Sequence, residues 1–288
     1  MTPELVLGGD ELEVVVLPEL GGRIHRIRAF GADLLRTPHD VGVHDRDPFF
    51  WGAYLMAPWC NRIRPAPTRV AGRIVDLRAN FPDGTAIHGQ LTSRPWVVQA
   101  DGALTVDGGG DGWPWSYGVA ALAQVSGTVL TLDYRLRNAS HEPMPAGIGL
   151  HPWFVRPVHV RIPAAEVYAS NSDSPTVPAP VSGRFDLRQL GAPALGLDGT
   201  WTRLATPRID LEWRGSGVRA RLEVDAPRAL IALASPETIG ANAVEPQTHA
   251  PDGLRRLLAG EPEALDLLAP GHELRLGLRL TVERPGYG

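Results

Sequence analysis

The chain has 288 residues, 43% hydrophobic and 21% charged, with a formal net charge of -4, proportions that suit a folded globular protein and exclude a disordered one. Charges of both signs are interspersed, so there is no basic stripe for nucleic acid and no polybasic segment for anionic lipid. No lysine occurs and all 28 cationic side chains are arginine, which excludes Schiff-base catalysis, a lysine-anchored pyridoxal phosphate and a Walker A phosphate loop.

From the N-terminus onward, Met1 to Asp10 has neither the basic region nor the apolar run of a signal peptide, and no later stretch is long enough to span a bilayer. Cys60 is the lone cysteine, so no disulfide or thiolate cluster forms within the chain. A cytoplasmic protein is the expectation. Strand-like stretches follow at 13–17, 74–77, 96–99, 129–136 and 272–282, several of them alternating apolar with polar residues at the period of a half-buried strand. Between them, 32 glycines and 27 prolines interrupt helices and favour short strands joined by turns. The Gly- and Asp-rich segment 101–112 reads as a loop, and the Ser- and Pro-rich segment 170–183 as a surface connection. Only residues 251–259 have helical spacing, ended by Gly260. With no repeat of fixed period and no linker, residues 1–288 are expected to form a single all-β domain, a large sandwich of antiparallel sheets in preference to a closed barrel or propeller.

Polar clusters interrupt these apolar surroundings at Asn61-Arg62-Ile63, Ile87-His88-Gly89, His151-Pro-Trp-Phe154 and Glu245-Pro-Gln-Thr-His249. His151 and Glu245 each precede a proline, which holds both on extended backbone. Rigid placement suits an acid and a base, although a proline at a strand end is also an ordinary structural device. His39, His44, Asp45 and Asp47 match no metal-ligand spacing and read as an exposed polar loop. Cys60 has no activating base nearby and reads as a packing residue. Trp59, Trp96, Trp153 and Trp201 adjoin the clusters, each either a core residue or a face for a sugar ring.

The order and wording of Asn61-Arg62-Ile63, Ile87-His88-Gly89, His151-Pro-Trp-Phe154 and Glu245-Pro-Gln-Thr248 resemble the aldose 1-epimerase (galactose mutarotase-like) family, with support from Trp113-Pro-Trp-Ser-Tyr117, Leu197-Asp-Gly-Thr-Trp201 and Ala269-Pro-Gly271. The resemblance implies a β-supersandwich with a sugar held in a cleft on one sheet. It implies that Glu245 takes the proton of the anomeric hydroxyl and His151 protonates the ring oxygen, with His88, Arg62, Asn61 and Asp198 in substrate-binding roles. It asks for no metal or other cofactor, and its partner is a small sugar. The chain departs from the family's His-Gly-Gly at His88-Gly89-Gln90, which leaves open which aldose is bound.

Ring opening removes a proton from O1 while delivering one to O5, so the chemistry needs a base and an acid on nearby oxygens, each worth roughly 10²–10⁴-fold in rate. Reference pKa values near 4.3 for glutamate and 6.5 for histidine predict a bell-shaped pH profile, with Glu245 on its acid limb and His151 on its alkaline limb. Two alternatives accompany the mutarotase reading. One is an epimerase of a phosphorylated or sulfonated hexose, with Arg62, Arg64 and Arg94 as candidate donors to the anion. The other is a noncatalytic sugar-binding or sugar-sensing protein, which has no need of an acid and a base together.

Overall fold

The structure, a computed structural model, describes residues 4–169 and 177–286. Two large sheets dominate it, and every strand pairing within them is antiparallel among the described residues. In the first sheet the strands run in the order Leu5–Gly8, Leu12–Leu17, Arg23–Ala29, Ala53–Met56, Gly149–Val155, Ala241–Gln247, Leu230–Ser235, Leu197–Leu204, Ala164–Ala169 and Ala179–Pro180, with Ala32–Asp33 paired at the side of Arg23–Ala29. The second is built around the long strands Trp113–Ser126, Val129–Asn138 and Glu273–Glu283. This is the expected all-β sandwich.

Period-2 alternation explains the second sheet directly. Along Trp113–Ser126, Trp113, Trp115, Tyr117, Val119 and Ala121 turn inward while their neighbours face outward. The first sheet is buried on both faces almost throughout its central strands, Ala53–Met56, Gly149–Val155 and Ala241–Gln247. Its inner face sends Leu55, Leu150, Leu233 and Val244 into a core shared with Trp113, Trp115, Leu132 and Leu276 of the second sheet. Each such side chain contributes roughly 1.5–3 kcal/mol by leaving water. Its outer face carries a smaller cluster of Tyr54, Met56, Cys60, Trp153, Ala241 and Ala243, and the polar motifs gather there.

Helix is scarce, as expected: Gly253–Ala259 ends at Gly260 in the left-handed region, and a short Val43–Arg46 helix and a 3-10 turn at Gly183–Phe185 were not foreseen. Segment 101–112 is not a loop throughout. Leu104–Gly110 is a strand paired with Trp113–Ser126, because Leu104 and Val106 alternate inward and a bulge between Gly108 and Gly110 absorbs the glycines. The expected connection at 170–183 falls partly on residues 170–176, outside the described residues; beyond them Ala179–Pro180 forms an edge strand. Nor is residue 44 exposed: His44 is buried and its Nε2 lies 2.8 Å from Nδ1 of His25. No helix among the described residues is long and apolar enough to cross a membrane.

Candidate active site

The two pre-proline residues meet on the outer face of the first sheet. Strands Gly149–Val155 and Ala241–Gln247 pair at Gly149↔Gln247 and again at Trp153↔Ala243. Between these points Pro152 and Pro246 lack the N–H groups that a ladder needs, and the same register sets His151 opposite Glu245. Nε2 of His151 lies 3.2 Å from Oε1 of Glu245, and both residues are buried. Both neighbouring strands contribute to the same face. Tyr54 pairs with His151 and stacks on its ring at 4.7 Å and 19°, while Ala232 and then Thr200 continue the row from Glu245.

His88 arrives from outside the sheet. Residues 57–61 and 86–90 are tied together by the Arg62–Ile63/Ala86–Ile87 pairing, by a parallel bridge between Ala57 and Gly89, and by the His88 amide donating to the Asn61 carbonyl at 3.0 Å. Gly89 is required here, since a Cβ would sit 1.9 Å from the Ala57 carbonyl oxygen. The Asn61 amide donates to Nδ1 of His88 at 3.2 Å. A neutral ring that accepts at Nδ1 carries its proton on Nε2. His88 and His151 pack edge to face at 4.9 Å, and ligating atoms of His88, His151 and Glu245 lie within 4.8 Å of one another. Two histidines and a carboxylate at this spacing resemble a metal-ligand set, but a protonated Nε2 on His88 offers no lone pair, which suits the trio to proton transfer instead.

Electrostatics in this buried group run against the reference values. Burial pushes Glu245 up to about 8, with Asp198 adding to the rise and Arg62 opposing it. Burial likewise pulls His151 down to about 3, assisted by Arg23, and holds His88 well below the usual histidine range, with His151 and Arg62 adding to that effect. The facing pair is therefore neutral overall at pH 7, with one mobile proton between carboxyl and imidazole. The limbs assigned from reference values are thus exchanged: loss of that proton governs the alkaline side and gain of a second governs the acid side.

The remaining expected residues lie around this centre. Arg62 is half-exposed, its Nε donating to Asp83 at 2.7 Å and its guanidinium 5.5 Å from the Phe81 ring. Asn61 contributes through its backbone to His88 and through Oδ1, which accepts from the Arg62 amide at 3.1 Å. Asp198 is exposed on the same face of the sheet, in the row Asp198↔Ala234↔Ala243↔Trp153. Trp153 lies against His151 at 5.0 Å, whereas Trp59, Trp96 and Trp201 belong to the core between the sheets. Arg94 turns elsewhere, to the carbonyls of Asp107 and Gly109 and to Asp111. Cys60 is a buried packing residue, its thiol held well above the usual range by burial.

Sequence reasoning missed the aromatic wall. Phe49 approaches His88 at 6.2 Å, Phe50 approaches Trp153 at 5.9 Å, and Phe81 touches both phenylalanines. It also missed Tyr54 and Asp83. The Phe49-Phe50 doublet in a polar stretch was the one available signal, whereas the pairing of Arg62 with Asp83 leaves no mark in the sequence.

A family model described as aldose 1-epimerase matches residues 3–189. Among solved structures, a putative aldose 1-epimerase from Escherichia coli K12 superposes with a TM-score of 0.84 at 21% identity, covering 98% of this chain and 99% of that one. An aldose epimerase homologue from C. elegans gives 0.81 at 16% identity, covering 99% of each chain, and a galactose 1-epimerase from Lactobacillus acidophilus NCFM gives 0.78 at 15%, covering 97% and 94%. At these identities the likeness is one of fold. No curated protein matches the chain significantly.

Proposed function

Because the chain belongs to the aldose 1-epimerase family, we propose that it interconverts the α and β anomers of a neutral aldose by acid-base opening and reclosure of the pyranose ring. The observation that carries this reading is the facing pair, His151 Nε2 at 3.2 Å from Glu245 Oε1, buried on one sheet face beside His88. In its imidazolium–carboxylate form the pair holds the same number of protons as in its imidazole–carboxylic acid form, so substrate contacts rather than pH select between them. Glu245 then takes the O1 proton as the C1–O5 bond breaks, and His151 gives its proton to O5. Rotation about C1–C2 presents the other carbonyl face, and the reverse transfers close the ring with the pair restored. His88 donates from Nε2 to a sugar oxygen, Asn61 fixes its tautomer, and Arg62 and Asp198 hold sugar hydroxyls.

A neutral sugar fits better than a phosphorylated or sulfonated one, because Arg62 is already paired with Asp83 and Arg94 with Asp111. Exchange NMR or polarimetry on freshly dissolved α-glucose and α-galactose, repeated with 6-phosphate and sulfonated sugars, tests the reading. Anomer exchange faster than the uncatalysed rate supports it, and binding without faster exchange replaces it with a sugar-sensing role.

A further inference from the structure

Arg23 heads the strand Arg23–Ala29 and is fully buried, yet it forms no ion pair among the described residues. Its guanidinium instead donates to three backbone carbonyls, those of Trp51 at 2.8 Å, Pro48 at 2.7 Å and Thr92 at 3.0 Å, and lies 5.0 Å from the centroid of the Tyr54 ring. A buried cation with no carboxylate in direct contact is costly to keep, and Asp47, which favours its charge from farther off, offsets only part of that cost. Two features of its surroundings give it a use.

First, Arg23 helps to frame the aromatic wall. The four successive carbonyls of residues 48–51 are all captured: Pro48 and Trp51 by Arg23, Phe49 by the Tyr54 hydroxyl at 3.1 Å and the Trp153 indole at 2.7 Å, and Phe50 by Arg36 at 2.5 Å. The rings of Phe49 and Phe50 therefore stand on fixed backbone beside His88 and Trp153. Second, the Tyr54 ring beside the guanidinium is the ring that stacks on His151. A fixed positive charge there disfavours a second positive charge on the imidazole, which makes its protonated form a stronger donor.

We propose that Arg23 is a positioning residue for proton transfer, acting on His151 through Tyr54 and on the substrate wall through the carbonyls of Pro48 and Trp51. This assignment rests on the mutarotase reading for its catalytic meaning and on geometry alone for its effect on His151. The groups facing His151 are Tyr54 from Ala53–Met56, Glu245 from Ala241–Gln247 and His88 from the 86–90 segment, while Arg62 acts on both Glu245 and His88.

The test compares Arg23→Met, which removes the charge, with Arg23→Lys, which keeps it but loses the planar fork. Arg23→Gln serves as a second neutral variant able to donate to a carbonyl where Arg23→Met does not fold. Titration of the His151 imidazole followed by ¹⁵N NMR without sugar should move to higher pH by about one unit in the neutral variants and return toward wild type in Arg23→Lys. The acid limb of kcat/KM for anomer exchange should move in parallel, and Arg23→Lys should recover that limb while KM stays raised by its loosened wall. An unmoved His151 midpoint in a folded neutral variant overturns the proposal. Absence of exchange in the wild type defeats the mutarotase reading and leaves the NMR comparison to judge Arg23.

Discussion

His151 and Glu245 face each other across two adjacent strands at the one stretch where both strands carry a proline, with their reactive atoms 3.2 Å apart. The prolines open the backbone ladder without moving the strands apart, because the pairings on either side keep register. The two side chains form one proton-sharing unit, so their removal is strongly non-additive. Glu245→Gln and His151→Asn should each slow anomer exchange by about 10²–10⁴-fold. The double variant should fall little below the weaker single one, as read by saturation-transfer NMR between anomers.

The pH dependence follows from burial. With Glu245 pushed up to about 8 and His151 pulled down to about 3, the active one-proton form of the pair loses its proton above about 8 and gains a second one below about 3. The rate profile should be broad, with its alkaline limb assigned to the carboxyl by its disappearance in Glu245→Gln. Stability gives an independent reading of the sign. A carboxyl whose pKa is raised on folding binds more protons folded than unfolded between its two values, so stability falls as pH rises from 4.5 toward 8. For His151 the unfolded state binds more, so stability falls as pH drops from 6.5 toward 3. Glu245→Gln, with anomer exchange slowed as above, is therefore expected to stabilise the fold at pH 8–9 by on the order of 2 kcal/mol, raising Tm by about 3 °C in calorimetry.

Asp83 sets the charge at the mouth of the site through its hold on Arg62, with Nε and Oδ2 2.7 Å apart. The pair is about 39% exposed on each side, so its contribution to stability is small, about 0–1 kcal/mol. Its larger effect is on selectivity. Asp83→Asn should leave Tm nearly unchanged while freeing the guanidinium for an anion, shifting the kcat/KM ratio of a hexose 6-phosphate to its neutral sugar upward by about tenfold. An unchanged ratio would mean that Arg62 does not reach the sugar.

Much of this was legible in the sequence for physical reasons. Period-2 alternation exposed the strands around Trp113–Ser126 and Glu273–Glu283, because one face of each meets the core and the other meets water. The pre-proline positions placed His151 and Glu245 on extended backbone, since that dipeptide restricts the backbone wherever it occurs, while the order of the four motifs, and not this local feature, singled the two residues out. What stayed hidden depends on distant partners. The Leu104–Gly110 strand was masked by its glycines, which only the bulge opposite Tyr117 accommodates. His44, in the short Val43–Arg46 helix, looked like part of an exposed loop because its partner, His25, lies on a strand distant in sequence. The pKa order of His151 and Glu245 was reversed by burial, a property of the assembled sheet and not of either residue. Asp83 and Arg23 act through contacts with no local signature at all.

Gly149, two residues before His151, shows how tightly the site is supported from beneath. A Cβ at this position would lie 2.7 Å from Cys60 Sγ, 2.7 Å from Met56 Cε and 2.9 Å from the Pro246 carbonyl oxygen. The sulfur and the Met56 methyl belong to the apolar cluster under Tyr54 and Trp153, and Pro246 directly follows Glu245. Met56 has flexible torsions and can give way, but the Pro246 backbone sits in a central strand and cannot move without carrying Glu245 with it. Gly149→Ala should therefore cost about 1–3 kcal/mol of stability, the usual range for overpacking a core. It should also reduce kcat more than it raises KM, because a shift of about 1 Å in Glu245 can cost on the order of a hundredfold in rate. Denaturant unfolding and single-turnover exchange on the same variant separate the two effects: a stability loss with kcat untouched would show that the strand yields on the Cys60 side and leaves the His151–Glu245 contact in place.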